Sequence, residues 1–211
     1  MKRPHHGDIS RFNEWASTYD HPLGQFFFDR IHRPVVEALL ANGGDPSCVV
    51  DVGCGTGRLL EKIQPRLPGA ELIGVDPAEG MLAVARRRFQ GRARVRFKLG
   101  TADRLPLDDA IAEVVTTTLS FHHWGEQEAA LREVVRVLRP GGCLILADIL
   151  GIGIVGRILR GAERGHGSGY RDTAEMTRLL RGAGFSSWRS RRLFGPLVPV
   201  FLVEASRRAA H

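Results

Sequence analysis

The sequence predicts an α/β fold in which helices cover both faces of a doubly wound, mostly parallel sheet. Short apolar stretches typical of buried strands alternate with segments whose apolar residues recur at helical spacing. One strand runs into a glycine-rich turn and then a helix, which is typical of this class. At 211 residues, with 43% hydrophobic and 25% charged residues, the chain is expected to form a single domain over residues 1–211.

Seven segments are predicted as strands. Helices or long connections separate the first five, as parallel pairing requires, whereas the last two flank a Gly-Pro turn as an antiparallel pair. The predicted strands are Cys48–Val52, Glu71–Val75, Val95–Leu99, Ile111–Thr118, Cys143–Asp148, Ser187–Phe194 and Val198–Ala205. The predicted helices are Arg11–Asp20, Gly24–Ala41, Thr56–Pro65, the segment after Asp76, Glu126–Leu138 and the segment from Asp172 through Leu180.

The glycine turn follows the first strand and reads Val-Val-Asp-Val-Gly-Cys-Gly-Thr-Gly from Val49 to Gly57. Its three glycines allow positive φ or the close approach of a ligand. A dinucleotide fingerprint reads G-x-G-x-x-G, but here the third glycine comes one residue early and Arg58 stands where the last glycine would be. The spacing therefore indicates a nucleotide-cofactor site, and it disfavours a nicotinamide oxidoreductase.

Asp76 ends the second strand, about 20 residues beyond the glycine turn. A carboxylate at that place can accept both hydroxyls of a ribose. The sequence Asp76-Pro77-Ala78-Glu79 also satisfies a helix capping box, so the carboxylate has two candidate roles. Met81, one helical turn on, is placed either to pad an adenine ring or to pack in the core.

With the acidic Asp51 before it, the G-x-G-x-G turn resembles the first motif of the class I S-adenosylmethionine-dependent methyltransferases. Other segments resemble small-molecule members related to the ubiquinone and menaquinone biosynthesis methyltransferases, from Phe12 to about Arg207 and in the family order. These segments are Trp15–Asp20, Gly100–Pro106, Leu119–His123 and Leu138–Asp148. The resemblance implies a Rossmann-like, seven-stranded sheet. Helical spacing puts Phe12, Trp15 and Tyr19 on one face of the N-terminal helix, which either packs on the core or forms a lid, and the resemblance favours the lid. It also implies S-adenosylmethionine as methyl donor and S-adenosylhomocysteine as product.

The resemblance further implies where the cofactor is held. After the third strand the family carries an acidic residue that accepts the adenine amino group, whereas this chain has Thr101 there. That contact then falls to the Thr101 hydroxyl, to the Ala102 backbone or to Asp103. The residues expected to contact the cofactor are Tyr19, Asp51, Gly53, Cys54, Gly55, Gly57, Asp76, Pro77, Met81, Thr101, Ala102, Asp103 and Leu119.

His122 and His123 follow the fourth strand, and the resemblance places them toward the acceptor. A histidine can take the proton that an oxygen, nitrogen or carbon acceptor loses, so both are candidate catalytic bases. The alternative is a packing or capping role at a helix start. No carboxylate or cysteine accompanies the pair at metal-ligand spacing, so no metal site is expected.

These features predict methyl transfer from S-adenosylmethionine to an oxygen, nitrogen or carbon nucleophile of a small molecule, quinone-like or a secondary metabolite. One alternative is an RNA methyltransferase, because the net charge of +7 permits attraction to nucleic acid. The motif of base-amine methyltransferases and the cysteine of cytosine enzymes are missing, which disfavours a nucleic-acid acceptor. The other alternative, which Thr101 leaves open, is a non-catalytic protein of the same fold that binds the cofactor.

The regions of the chain follow from these assignments. We expect an N-terminal helical cap in 1–44, a cofactor-binding half in 45–149, an insertion or lid in 150–171, and a C-terminal helix with the closing strand pair in 172–211. The apolar part of the insertion, Leu150–Leu159, could touch a membrane surface.

A cytoplasmic location is expected from two further observations. The N-terminus lacks the apolar core of a signal peptide, and no uncharged run approaches the roughly 20 residues that a bilayer requires. Cys48, Cys54 and Cys143 form an odd set without C-x-x-C spacing, so neither a disulfide framework nor a zinc site is predicted.

Overall fold

Seven strands join in one sheet within the residues that the computed structural model describes, namely 6–16, 22–152, 158, 169–195 and 198–210. The strands are β1 (Cys48–Val52), β2 (Glu71–Asp76), β3 (Val95–Leu99), β4 (Ala112–Thr118), β5 (Leu138–Ile149), β6 (Phe185–Arg192) and β7 (Val200–Arg207). Their order across the sheet is β3-β2-β1-β4-β5-β7-β6.

The first five strands are parallel, and β7 pairs antiparallel with both β5 and β6. This confirms the predicted seven-stranded, mostly parallel sheet with an antiparallel C-terminal end. From β1 the chain builds outward through β2 and β3 in one direction and then through β4 and β5 in the other. Such a reversal leaves a crevice at the carboxyl ends of β1 and β4, where ligands bind in open α/β sheets.

Six α-helices and one short 3₁₀ helix occupy the described residues, and they lie close to the predicted positions. They are α1 (His6–Trp15), α2 (Pro22–Gly43), α3 (Arg58–Ile63), α4 (Glu79–Arg88), the 3₁₀ helix Phe121–His123, α5 (Gln127–Val137) and α6 (Thr173–Ala183). A capping box opens α6, because Asp172 and Glu175 each accept the other's backbone N–H at 2.8 Å. None of these helices is long and apolar enough to cross a membrane.

The N-terminal helix differs from its prediction. It begins at His6 and ends at Trp15, whereas the sequence predicted Arg11–Asp20; residues 17–21 lie outside the described part of the chain. Ala16 is buried, but Trp15 is 46% exposed with the Arg11 guanidinium over its ring. The helical spacing of the aromatic residues therefore does not place them all against the core.

The core has two halves, one on each face of the sheet. Val50 and Val52 pack with β2, β4, β5 and α5 on one face, while Val49 packs with α2 and α3 on the other. All five residues of β1 are buried, because a parallel strand covered on both faces has no solvent side. The central strands therefore hold the cleft residues at their carboxyl ends in a rigid frame.

The first residues of β5, 138–142, form a bulge against β4. Leu138 pairs with Ala112 and Cys143 pairs with Val114, so five steps along β5 correspond to two steps along β4. Gly142 passes so close that a Cβ there would lie 2.8 Å from the Glu113 carbonyl oxygen. β5 thus begins at Leu138, earlier than the predicted Cys143.

Candidate active site

A cleft opens at the carboxyl edge of the sheet, where the order of the strands reverses. It encloses about 910 Å³ of empty space, a figure that includes the open solvent at its mouth. Its walls come from the turn after β1, the end of β2, the segment after β3 and the segment after β4. Ile9 and Phe12 of α1 complete the wall.

The glycine turn forms the floor of the cleft. Gly53, Gly55 and Gly57 have φ of 74°, 53° and 81°, a conformation that L side chains rarely adopt. A Cβ on Gly53 would lie 1.9 Å from Ser120 Oγ, so the turn lies directly against the segment after β4. A Cβ on Gly55 would have no protein atom within 4 Å, and this residue lines the cleft.

Asp76 lines the cleft and also fixes the glycine turn. Its Oδ2 accepts the Gly55 N–H at 2.9 Å and its Oδ1 accepts the Ala78 N–H at 2.8 Å. Burial raises the pKa of this carboxyl to about 6, against the effect of the two N–H groups. The predicted capping box is wrong: α4 has no side-chain cap, and Glu79 pairs with Arg86.

Three of the predicted cofactor contacts lie behind the cleft wall and not on it. Asp51 is 1% exposed and accepts the Thr116 hydroxyl at 2.9 Å. Burial, with Asp76 nearby, raises the pKa of Asp51 to about 7. Cys54 is buried, and its pKa is raised well above the ordinary value by burial. A Cβ on Gly57 would lie 3.0 Å from the Phe89 ring, so this glycine serves packing.

The segment after β3 forms the opposite wall as a tight turn. The Arg104 N–H donates to the Thr101 carbonyl at 3.1 Å. Met81 of α4 also lines the cleft, although its side chain is only 2% exposed. The sequence-predicted residues that line the cleft are Gly53, Gly55, Asp76, Pro77, Met81, Thr101, Ala102, Asp103, Leu119 and His123. Tyr19 lies outside the described residues.

Leu119 stands at the end of β4 in an unusual conformation. Its φ is 48°, in the left-handed region that non-glycine residues seldom occupy. Its N–H donates to the Ala147 carbonyl at 2.8 Å, which holds the residue against β5 while it lines the cleft. The backbone therefore turns sharply at the point where the two histidines begin.

The structure separates the two candidate bases. His123 lines the cleft, and its ring meets Phe12 edge-on at a centroid distance of 5.3 Å. His122 does not line the cleft; its Nδ1 lies 2.6 Å from Oδ1 of the buried Asp148. The Tyr170 ring stacks on His122 at 4.8 Å. Sequence reasoning missed this role of Asp148, although a polar residue ending β5 beside β4 was a usable signal.

A buried glutamine links the 3₁₀ helix Phe121–His123 to the end of the insertion. Gln127 Nε2 donates to the carbonyls of Phe121 at 2.9 Å and Gly169 at 2.7 Å, and its Oε1 accepts the Arg171 Nε–H. Gly169 passes so near that a Cβ there would lie 1.7 Å from the His122 carbonyl oxygen. Nothing in the local sequence signals this link. Most of the predicted insertion, 153–157 and 159–168, lies outside the described residues.

Within the described part of the chain, no three histidine, cysteine or carboxylate side chains are grouped so that they could hold a metal ion.

Known proteins match this chain in sequence and in fold. A family model described as a methyltransferase domain matches residues 49–142. The demethylmenaquinone methyltransferase of Thermus thermophilus is 38% identical over 141 residues, covering 65% of this chain and 63% of the relative. That of Symbiobacterium thermophilum is 30% identical over 207 residues, covering 94% of this chain and 70% of the relative.

An S-adenosylmethionine-dependent methyltransferase from Aquifex aeolicus shares the fold, with a TM-score of 0.68 at 21% identity over 92% of this chain and 97% of that one. The chain spans about three fifths, or less, of the length of the first curated relatives it matches. The strand order, the glycine turn and these matches show that the chain belongs to the class I S-adenosylmethionine-dependent methyltransferases.

Proposed function

We propose that the protein transfers the methyl group of S-adenosylmethionine to an oxygen, nitrogen or carbon nucleophile of a small-molecule acceptor. The observation that carries the proposal is one cleft lined by the glycine turn, Asp76, the Thr101–Asp103 segment and His123. The relatives named demethylmenaquinone methyltransferases support a quinone-like acceptor.

The residues of the cleft fit the cofactor. Each Asp76 oxygen accepts one backbone N–H and keeps a second lone pair, which would accept a ribose hydroxyl. Met81 and Ala102 would contact the adenine. The open space at Gly55 would let the cofactor lie against the Gly55 backbone. When bound, S-adenosylmethionine supplies an electrophilic methyl group on a positively charged sulfur that leaves readily. The main task of the chain is then to orient the acceptor and exclude water.

We assign proton acceptance from the acceptor to His123, because it is the histidine that lines the cleft. His122 is engaged by Asp148 and Tyr170 and is proposed to be a positioning residue. Asp51 is proposed to act from behind the wall by supporting the glycine turn.

We further propose that α1, as part of the cap in 1–44, forms a lid. Ile9 and Phe12 face the cleft, and Asn13 Oδ1 accepts the Gly80 N–H at 2.8 Å at the start of α4. The sheet edge beneath is fixed, so closure of α1 would exclude water without moving the cofactor-binding residues.

The test is a transfer assay with methyl-labelled S-adenosylmethionine on quinols, phenols, amines and RNA, with wild type and His123→Ala. We expect labelled quinol or phenol product, and a loss in turnover of about 10²-fold in the variant with cofactor affinity unchanged. Equal losses in turnover and affinity would show that His123 only packs against Phe12. Cofactor binding without labelled product from any acceptor would identify a non-catalytic protein. Labelling of RNA alone would contradict a small-molecule acceptor.

A further inference from the structure

The exposed large apolar side chains of the described residues are Trp15 (46% exposed), Phe26 (69%), Phe27 (38%), Leu99 (54%), Ile158 (64%) and Val198 (37%). The chain topology places Phe26, Phe27, Leu99 and Val198 at the carboxyl edge of the sheet, where the cleft opens. Scattered exposed apolar residues are ordinary, but exposed residues gathered on one side of a molecule mark an interaction surface.

The topology fixes these positions. Leu99 ends the parallel strand β3 and therefore lies at the carboxyl edge. The end of α2 lies near the start of β1. Phe26, in the first turns of α2, therefore lies at the carboxyl edge of the sheet. Because β7 is antiparallel to β5, Val198 lies beside the residues that leave β5, and the Leu150 N–H bonds to the Pro199 carbonyl.

Four neighbouring residues at this edge form one surface, which we call the Phe26 patch: Phe26, Phe27, Arg30 and Phe194. The Phe27 ring stacks on Phe194 at 5.6 Å. The Arg30 guanidinium lies 5.6 Å from the Phe194 ring centre and 5.8 Å from that of Phe26. Aromatic rings interleaved with a guanidinium suit a boundary between apolar and polar surroundings.

The charge around the patch is positive. Among the described contacts Arg30 has no carboxylate partner, whereas Asp29 is paired with Lys62 and Glu37 with Arg33. Arg192, exposed at the end of β6 on the same edge, lies over the Phe201 ring at 5.1 Å. The whole chain carries a net charge of +7. A partner for this surface should therefore be both apolar and anionic.

We propose that the Phe26 patch docks the protein on an anionic lipid surface, with the mouth of the cleft facing the lipid. A second copy of the chain fits this surface less well, because a two-fold interface would bring the two Arg30 side chains together. A lipid surface satisfies both requirements at once, since the rings enter the interface while the guanidinium meets the headgroups. The docked cleft would then receive an acceptor dissolved in the lipid.

The test is sedimentation of the full chain with phosphatidylcholine vesicles, with and without phosphatidylglycerol. Binding should require phosphatidylglycerol and weaken with added salt. Phe26→Ser with Phe27→Ser should lower the vesicle partition coefficient about tenfold, and Arg30→Ser about fivefold. Phe26→Trp should retain binding, since tryptophan is favoured at membrane interfaces.

Arg66→Ser is the matched charge control, because Arg66 is exposed between α3 and β2, at the opposite edge of the sheet. It should lower partition less than Arg30→Ser does. Failure to bind anionic vesicles, or equal binding by the double variant, would overturn the proposal. A dimer that the double variant dissociates in sedimentation velocity would show that the occupant is a second copy. The measurement requires no turnover, so its outcome is independent of the proposed reaction.

Discussion

At the scale of the residue, Asp148 shows how a buried carboxylate is satisfied beside the cleft. Its Oδ1 accepts the His122 Nδ1–H and the Ile149 N–H, each at 2.6 Å, and its Oδ2 accepts the His122 N–H at 3.2 Å. A carboxylate oxygen accepts, so we assign the proton of this contact to Nδ1 of His122. The pair therefore fixes both the tautomer and the position of the residue that precedes His123.

Asp148→Asn is expected to lower turnover about tenfold while cofactor affinity stays within a factor of about two. The asparagine amide keeps one accepting oxygen and replaces the other with a donating NH2, so it cannot accept all three of the N–H contacts that Asp148 makes with His122 and Ile149. Turnover and calorimetric affinity measure the two effects, and ring nitrogen shifts in NMR report the tautomer. An unchanged tautomer with normal turnover would show that Asp148 has only a packing role.

At the scale of the element, the 3₁₀ helix Phe121–His123 depends on the close approach of Gly169. Gly169→Ala is expected to destabilise the protein by on the order of 2 kcal/mol and to lower turnover, because its Cβ would lie 1.7 Å from the His122 carbonyl oxygen. Urea unfolding and the methyl-transfer assay measure the two effects.

Gly182→Ala is the matched control, since a Cβ at this position in α6 meets no atom within 4 Å. It should stabilise the protein by about 0.5–1 kcal/mol through helix propensity. If the two variants had the same stability, the close approach of Gly169 to the His122 carbonyl would be contradicted.

The elements were predictable where their signals are local. β1 and β3 begin and end at the predicted residues, because their signals are local: β1 is a buried, mostly apolar run, and β3 alternates apolar with charged residues. The start of β5 was not predictable from the sequence, because the Leu138–Cys143 bulge depends on the register of β5 with β4. The capping-box pattern at Asp76 failed because α4 begins at Glu79 after Ala78, while the Asp76 oxygens accept the N–H groups of Gly55 and Ala78.

The same distinction holds for the site. The glycine turn, Asp76 and the pair His122 and His123 were predicted at this edge from motif spacing, from the resemblance and from the rule that ligands bind at the carboxyl ends of strands. The contacts of Asp148 with His122 and of Gln127 with Gly169 join residues 26 and 42 positions apart. Only the folded arrangement of β4, β5 and the insertion brings them together.

At the scale of the whole molecule, two buried groups give stability opposite dependences on pH. Burial raises the pKa of Asp51 to about 7, so its contribution to stability falls as the pH rises from about 4 to 7. Burial lowers the pKa of His32 to about 4, so the unfolded chain binds a proton that the folded chain excludes below about 6.5. The His32 contribution is therefore lost as the pH falls from about 6.5 to 4.

His32→Leu is expected to raise the free energy of unfolding by about 2 kcal/mol near pH 5 and by less near pH 8. The substitution removes the acid-sensitive group, and it replaces an imidazole whose buried Nδ1 has no hydrogen-bond partner in the described part of the chain. Urea unfolding at the two pH values measures the difference. A gain of the same size at both would assign the effect to packing and not to titration.

We infer that the cleft holds S-adenosylmethionine through the glycine turn and Asp76. Titration calorimetry of the purified protein with S-adenosylmethionine and S-adenosylhomocysteine tests it most directly, with Asp76→Asn beside wild type. We expect micromolar binding of both ligands by wild type and a loss on the order of 1.5–3 kcal/mol in the variant. Wild-type affinity for S-adenosylhomocysteine should fall as the pH drops through about 6, where Asp76 takes up its proton. Absence of binding, or equal binding by the variant, would contradict the account.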